Sequence, residues 1–230
     1  MTQLIRSLQG DLREGGFYEG EVDGIWGPMS QAGWDAALAS ATLRQEAGIP
    51  PAGSKGAPAL AWSAKVSPAF SARVQQIAEQ LHMPEQGADW LMACMAWETG
   101  ETFSPSVKNM AGSGATGLIQ FMPATARGLG TTTDQLARMT AEQQLDYVYR
   151  YFLPYRGRLQ SLADTYMAIL WPAGIGKPLD WALWDEATRP TTYRQNAGLD
   201  INQDRVITKR EAAAKVQAKL ERGYQFRRSA

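Results

Sequence analysis

Glu98 closes an apolar helical stripe. The pattern over residues 89–99 predicts a helix on which Leu91, Cys94, Met95 and Glu98 stand at i, i+3, i+4 and i+7, on one face. A carboxyl at the end of such a stripe faces a core or the wall of a cleft, where desolvation raises its pKa. Glu98 also lies in the last turn, where the helix dipole disfavours negative charge, beside the water-excluding ring of Trp97. All three effects favour a protonated carboxyl near neutral pH, which a general acid for glycosidic cleavage requires. The stripe alone is also met by a solvated Glu at a helix C-terminus.

Other chemistries are restricted by composition. The chain has one Cys and one His, so it can form neither an internal disulfide nor a zinc site of the usual His/Cys kind. A catalytic triad would have to use His82 as its base. Cys94, inside Leu91–Trp97, reads as a buried apolar side chain rather than a nucleophile, and His82, beside Pro84, as a helix-end residue. What remains is carboxylates, hydroxyls and amides, and no metal or cofactor is expected. A second catalytic carboxylate would sit about 5 Å from the acid in a retaining hydrolase and about 6.5–9.5 Å away in an inverting one. Glu101, Asp146 and Asp164 are the candidates, with Glu101, after Gly100, reading as solvent-facing.

Residues 200–211 match an EF-hand calcium loop at positions 1, 3, 5, 8 and 12, but Arg205 occupies the position where Gly makes the sharp turn. The expectation is therefore a structural loop without a calcium requirement. Thr208 and Glu211 would form a Thr-x-x-Glu capping box for the last helix.

The elements that must position these residues are helical. A chain of 230 residues, 44% hydrophobic and 20% charged, allows one or two globular domains. Six of the eleven residues from Gly48 to Pro58 are Gly or Pro, which marks a break. The division expected is a small module over 1–42, a linker over 43–64 and a large domain over 65–230. The module reads helix, turn, helix, with Leu4, Ile5, Leu8 and Leu12 on one face, a turn at Asp23-Gly24, and Pro28 opening the second helix. In the large domain helices are predicted over 69–81, 89–99, 123–128, 141–152, 159–170 and 211–224. Period-2 alternation is absent apart from room for one small hairpin near 107–119.

Charge is balanced overall, 23 basic against 23 acidic residues, which argues against nucleic-acid binding by net charge. It is uneven locally, at −4 over residues 1–40 and +6 over residues 205–230. The basic tail, with Lys215, Lys219, Arg222, Arg227 and Arg228, reads as a solvated face. The longest apolar run, Trp90 to Trp97, is eight residues, far below the roughly 20 of a membrane span. The N-terminus has no apolar stretch of the secretory kind.

Two segments sharpen the reading of Glu98. The first is Trp97-Glu98-Thr99-Gly100-Glu101-Thr102-Phe103-Ser104-Pro105. The second is Gly114-Ala115-Thr116-Gly117-Leu118-Ile119-Gln120-Phe121-Met122-Pro123-Ala124-Thr125-Ala126. Together, in this order, they resemble the catalytic core of the soluble lytic transglycosylases, within the lysozyme-like superfamily. Residues 65–226 more broadly resemble the catalytic domains of bacteriophage endolysins of this group. Residues 3–38 resemble the small peptidoglycan-binding domain, through Leu8-Gln9, Leu12, Gly16, Tyr18, Gly20 and Asp23-Gly24-Ile25-Trp26-Gly27-Pro28.

The resemblance implies a mainly α fold, with a small helical peptidoglycan-binding module and a lysozyme-like helical catalytic domain. It implies Glu98 as acid/base. Thr99, Ser113, Thr116, Gln120, Met122 and Tyr166 would line the substrate, and Tyr18, Asp23 and Trp26 would serve the wall-binding module. Tyr166 falls in Thr165-Tyr166-Met167-Ala168, where the family's Ala-Tyr-Asn-Ala-Gly has lost its Asn. A family Ser falls on Ala111, so its polar contact is either lost or supplied by Ser113. The implied substrate is the β-1,4 bond between N-acetylmuramic acid and N-acetylglucosamine in peptidoglycan glycan strands. The chain is expected to act as a monomer, without nucleic acid. It would accumulate in the host bacterial cytoplasm and reach the periplasmic wall after holin-mediated release. The alternatives are a hydrolytic muramidase on the same bond and a catalytically inactive wall-binding phage structural protein.

Overall fold

In this computed structural model, residues 6, 9, 13, 18–25, 29, 30, 32, 33, 59–109 and 112–229 are described. The protein is mainly α-helical. From Pro68 onward the helices are α1 (Pro68–Gln80), α2 (Gly87–Glu98), α3 (Pro123–Gly128), α4 (Thr133–Arg138), α5 (Ala141–Phe152), α6 (Leu162–Leu170), α7 (Pro190–Asn196) and α8 (Lys209–Gly223). Among the described residues the sheet consists of β1 (Ala182–Asp185) paired antiparallel with β2 (Val206–Thr208). No described helix is long and apolar enough to cross a membrane.

Several helices begin where a hydroxyl accepts an orphan backbone N–H. Ser67 caps α1 through Phe70 N, Thr132 caps α4 through Gln135 N, and Ser161 caps α6 through Asp164 N. Thr140 with Gln143, and Thr208 with Glu211, form complete capping boxes on α5 and α8. The cap at Ser161 moves the start of α6 in from the expected residue 159. The short α4 and α7 and the β1–β2 pair lie outside the expected elements. At 107–121 the expected hairpin reduces to the isolated bridges Lys108–Thr116 and Thr116–Phe121.

The single-stripe reading of α2 needs correction. Ala88, Leu91, Met92, Ala93, Cys94, Met95 and Ala96 are all buried, so α2 is apolar on every side and forms the centre of the domain. It packs against α1, α6 and α8.

The expected boundary at residue 65 also moves. Leu60, Ala61, Trp62 and Ser63 are buried. Trp62 N donates to Gly223 O at 2.9 Å, and its indole N–H donates to Lys219 O at 2.9 Å. The Phe226 ring stacks on the Trp62 ring at 5.0 Å. Arg228 donates from its backbone N to Ser63 Oγ at 2.8 Å, and its guanidinium reaches the carbonyls of Ser63 and Val66. A Cβ at Gly223 would collide with the Trp62 indole. The entry segment and the C-terminal residues therefore clasp each other, and the large domain begins by about Leu60. Of the basic tail, Lys219 and Arg228 are partly buried by such contacts, while Lys215, Arg222 and Arg227 stay exposed. The rest of the expected linker, 43–58, lies outside the described residues.

Candidate active site

Glu98 is the last residue of α2, and the chain turns sharply after it. Thr99 N donates to Met95 O at 3.0 Å and Glu101 N to Ala96 O at 2.7 Å. Gly100 and Glu101 both take left-handed backbone, φ 60° and 70°. Such backbone costs a non-glycine residue roughly 1–2 kcal/mol. At Glu101 it is held by an ion pair. The carboxylate meets Lys219 Nζ at 2.5 Å and Arg222 Nε at 3.0 Å, both from α8.

The Glu98 carboxyl is half-buried. Among the described residues no cation and no hydrogen-bond donor reaches it, and burial pushes its pKa up to about 7. Its neighbours are Cys94, Tyr151 and Tyr166. Burial raises all three well above their ordinary values, and a charge on Glu98 raises each further. The Tyr166 hydroxyl accepts from Trp97 Nε1 at 3.0 Å, and Tyr151 donates to Ala168 O at 2.7 Å. The Tyr151 ring meets Phe121 edge-on at 6.1 Å. Tyr151 was not among the expected site residues. The signal for it, an aromatic on the inner face of the helix at 141–152, is indistinguishable in sequence from core.

The other expected lining residues divide. Gln120 is half-buried with left-handed backbone, φ 52°, and donates from Nε2 to Val107 O at 3.2 Å and Gly117 O at 3.1 Å. Met122 is 48% exposed at the start of α3, so its thioether is free to meet a ligand. Thr99 does not present its hydroxyl outward. It is buried, donates to Met95 O at 2.7 Å and accepts from Phe103 N at 3.0 Å, which orders the turn after Glu98. Thr116 is likewise buried, and its hydroxyl donates to Gly114 O at 3.2 Å. Ser113 is exposed and accepts from Ala115 N at 3.2 Å within its own turn. Ala111 lies outside the described residues.

None of the three candidate second carboxylates is free. Besides Glu101, which is paired rather than solvent-facing, Asp146 accepts from Arg73 Nη2 at 2.8 Å and Nε at 3.1 Å. Asp164 accepts from Lys209 Nζ at 2.6 Å and Gly176 N at 2.7 Å, and opposite charge and hydrogen bonds hold it below the usual carboxylate range despite the opposing effect of burial. Cys94 is buried, and His82, exposed at φ 54° just past α1, contacts Arg156 at 2.8 Å.

Among the described residues no group of three or more His, Cys, Asp or Glu side chains is arranged to hold a metal ion. At the EF-hand-like loop Arg205 takes the left-handed turn itself, φ 68°, with its guanidinium pointing to Glu186 at 3.6 Å. Both oxygens of Glu211 are occupied, one by Ile201 N and Asn202 N, the other by Thr208 N and Oγ1.

In the small module, Gln9 is the organising residue. It is fully buried, its Nε2 lies 2.9–3.2 Å from Tyr18 Oη, Asp23 Oδ1, Ile25 O and Ser30 Oγ, and its Oε1 accepts from Gly24 N at 2.9 Å. Tyr18 is buried, donating to Glu21 O at 2.8 Å, and Asp23 accepts from Ile25 N at 2.9 Å. Tyr18 is thus spent inside the module, whereas Asp23 is exposed while also accepting from Gln9 and Ile25. The exposed apolar side chains described here are Val22, Ile25 and Met29. Trp26 lies outside the described residues.

Comparison with protein-family models and with curated protein sequences yields no match for this chain.

Proposed function

We propose that the chain cleaves the β-1,4 bond between N-acetylmuramic acid and N-acetylglucosamine in peptidoglycan, as a lytic transglycosylase with Glu98 as the single acid/base. One observation carries the reading. Glu98 is half-buried, unpaired among the described residues and has a pKa near neutrality, while Glu101, Asp146 and Asp164 are each committed to cations. A carboxyl with a pKa near 7 can give a proton and take one back within a cycle.

The steps follow from that one group. Protonated Glu98 donates to the glycosidic oxygen as the C1–O bond breaks, leaving an oxocarbenium-like centre. The Glu98 carboxylate then takes the proton of the same sugar's 6-hydroxyl as O6 bonds to C1. The product is a 1,6-anhydro ring, Glu98 is protonated again, and no water is consumed. A hydrolytic muramidase would put water in place of the 6-hydroxyl and would need a group to activate it. On this reading the 1–42 module tethers the enzyme to the wall, as in modular phage endolysins, and holin-mediated release delivers it from the host cytoplasm.

The test is mass analysis of soluble muropeptides released from purified peptidoglycan. Anhydro ends, lighter by one water than reducing ends, are expected. Reducing ends alone would turn the assignment to a muramidase. Equal clearing by wild type and Glu98→Gln would end the assignment of Glu98, and clearing by neither would end the enzyme reading and leave a wall-binding protein.

A further inference from the structure

Gln144 lies on α5, is completely buried, and takes no part in the chemistry above. Its amide reaches three separate segments. Oε1 accepts from Leu118 N at 2.6 Å, while Nε2 donates to Pro105 O at 3.1 Å and Leu136 O at 2.9 Å. Both N–H donors and the carbonyl of the side chain are thus in use. Pro105 ends the segment that leaves Glu98. Leu118 belongs to the loop that carries Gln120 and Met122. Leu136 is on α4.

The loop is fitted to this side chain. Gly117 adopts φ 86°, and a Cβ there would overlap both the oxygen and the nitrogen of the Gln144 amide. The loop and the 105–109 segment also bond to each other, through Gly117 N to Val107 O at 2.8 Å and Asn109 N to Ala115 O at 2.9 Å. Gln144 is what ties this pair of strips to the helical scaffold at their meeting point. An apolar residue of equal length would leave Leu118 N–H and Pro105 O without their partner, Leu136 O keeping only Met139 N at 3.2 Å, and the loop would regain freedom to shift relative to α2.

We propose that Gln144 is a positioning residue for substrate binding. Its amide fixes the Gly114–Met122 loop against the Glu98 end of α2, so that the two walls of the glycan cleft keep one spacing. The inference rests on the proposed role of Glu98, and its test has a readout that does not.

In the full chain, Gln144→Met and Gln144→Glu are compared with wild type on soluble, uncross-linked glycan strands. Gln144→Met is expected to raise KM about tenfold, the effect of losing about 1.4 kcal/mol of binding, with kcat within about threefold. Gln144→Glu keeps the acceptor for Leu118 N but sets a second, buried oxygen against the Pro105 and Leu136 carbonyls, and is expected to raise KM at least as far. A purely structural role would lower the active fraction, so that apparent kcat drops while KM stays, and that result overturns the proposal. Amide hydrogen exchange gives the second readout. In Gln144→Met the amides of Thr116, Leu118 and Gln120 should lose protection while those inside α2 and α5 keep theirs. Unchanged loop protection overturns the proposal whether or not the wild type cleaves glycan. Should Gln144→Met fail to fold, Gly117→Ala pushes a methyl into the same amide and is expected to raise KM likewise; an unchanged KM there counts against it.

Discussion

The indole nitrogen of Trp97 donates to the hydroxyl of Tyr166 at 3.0 Å, joining the end of α2 to the middle of α6 beside Glu98. The bond fixes the Trp97 ring and holds in place a tyrosine hydroxyl close enough to Glu98 for a charge there to raise its pKa. Tyr166→Phe removes the acceptor and leaves the indole N–H unpaired in a part-buried site. We expect a loss of about 1–3 kcal/mol in stability by urea unfolding, and activity reduced beyond what the folded fraction accounts for. Full activity at saturating substrate would show that the hydroxyl serves the fold alone.

Glu98→Gln should reduce peptidoglycan clearing by about 10² to 10⁴. Its effect on stability has a definite sign. The folded-state pKa of Glu98, about 7, lies above the ordinary 4.5. The folded protein therefore holds a proton that the unfolded chain releases, and the associated stability is present below about pH 4.5 and lost as pH rises through about 7. Gln carries no such dependence. Thermal melts should show Glu98→Gln more stable than wild type at pH 8, by roughly 1–3 kcal/mol, with the gap closing toward pH 4. Wild-type activity, in turn, should fall as pH rises above about 7.

The longer helices were legible in the sequence through their period, and 141–152 and the six-residue 123–128 have the expected ends. The partly buried carboxyl at Glu98 was legible because it closes an apolar helix and the two motifs converge on it, although that helix is buried on every side rather than along one stripe. Gln144 was not, and Gln9 entered only as part of a motif, without its role. A buried amide that bonds backbone groups far away in sequence leaves no local pattern, and an isolated Gln on a helix reads as surface. Thr99 and Thr116 show the converse. Their positions in the motifs point to the site, but their hydroxyls are spent on neighbouring carbonyls. The pairing of Glu101 with Lys219 and Arg222 was equally invisible, because it spans more than a hundred positions.

In the small module the wall-binding surface is expected at the exposed apolar side chains rather than at Tyr18. Ile25→Ser should weaken co-sedimentation of the full chain with insoluble peptidoglycan, since Ile25 is 68% exposed and its loss costs the fold little. Tyr18→Phe removes a bond to Glu21 O and should act through stability instead. Binding should persist at moderate salt, because apolar contact is not screened as exposed charge is. Loss of sedimentation on adding salt would point to an electrostatic surface.

The capping box on α8 has a simple consequence. Thr208→Ala removes the acceptor for Glu211 N and one donor to the Glu211 carboxylate. The expected cost is about 0.5–2 kcal/mol, read as a lowered urea midpoint. No change would mean that packing of α8 against α2, not its cap, sets the helix end.

The clasp between the ends of the large domain makes the placement of its N-terminus testable. A fragment starting at residue 65 lacks Trp62, which is completely buried and stacked on Phe226, and lacks Ser63, which receives Arg228. Removing a buried aromatic ring typically costs about 3–5 kcal/mol, a large share of the stability of a domain this size. Residues 65–230 are therefore expected to melt well below residues 59–230, with Phe226 and the end of α8 losing exchange protection first. The consequence reaches the site through Lys219, whose carbonyl accepts from the Trp62 indole and whose ammonium holds Glu101, three positions after Glu98. The shorter fragment should accordingly lose cleavage of soluble glycan strands, even at temperatures where it remains folded. Residues 59–230 should retain cleavage and lose only the advantage of tethering, seen as weaker activity at low enzyme concentration on insoluble wall. Equal melting temperatures for the two fragments would show that the clasp is dispensable and restore the boundary to residue 65.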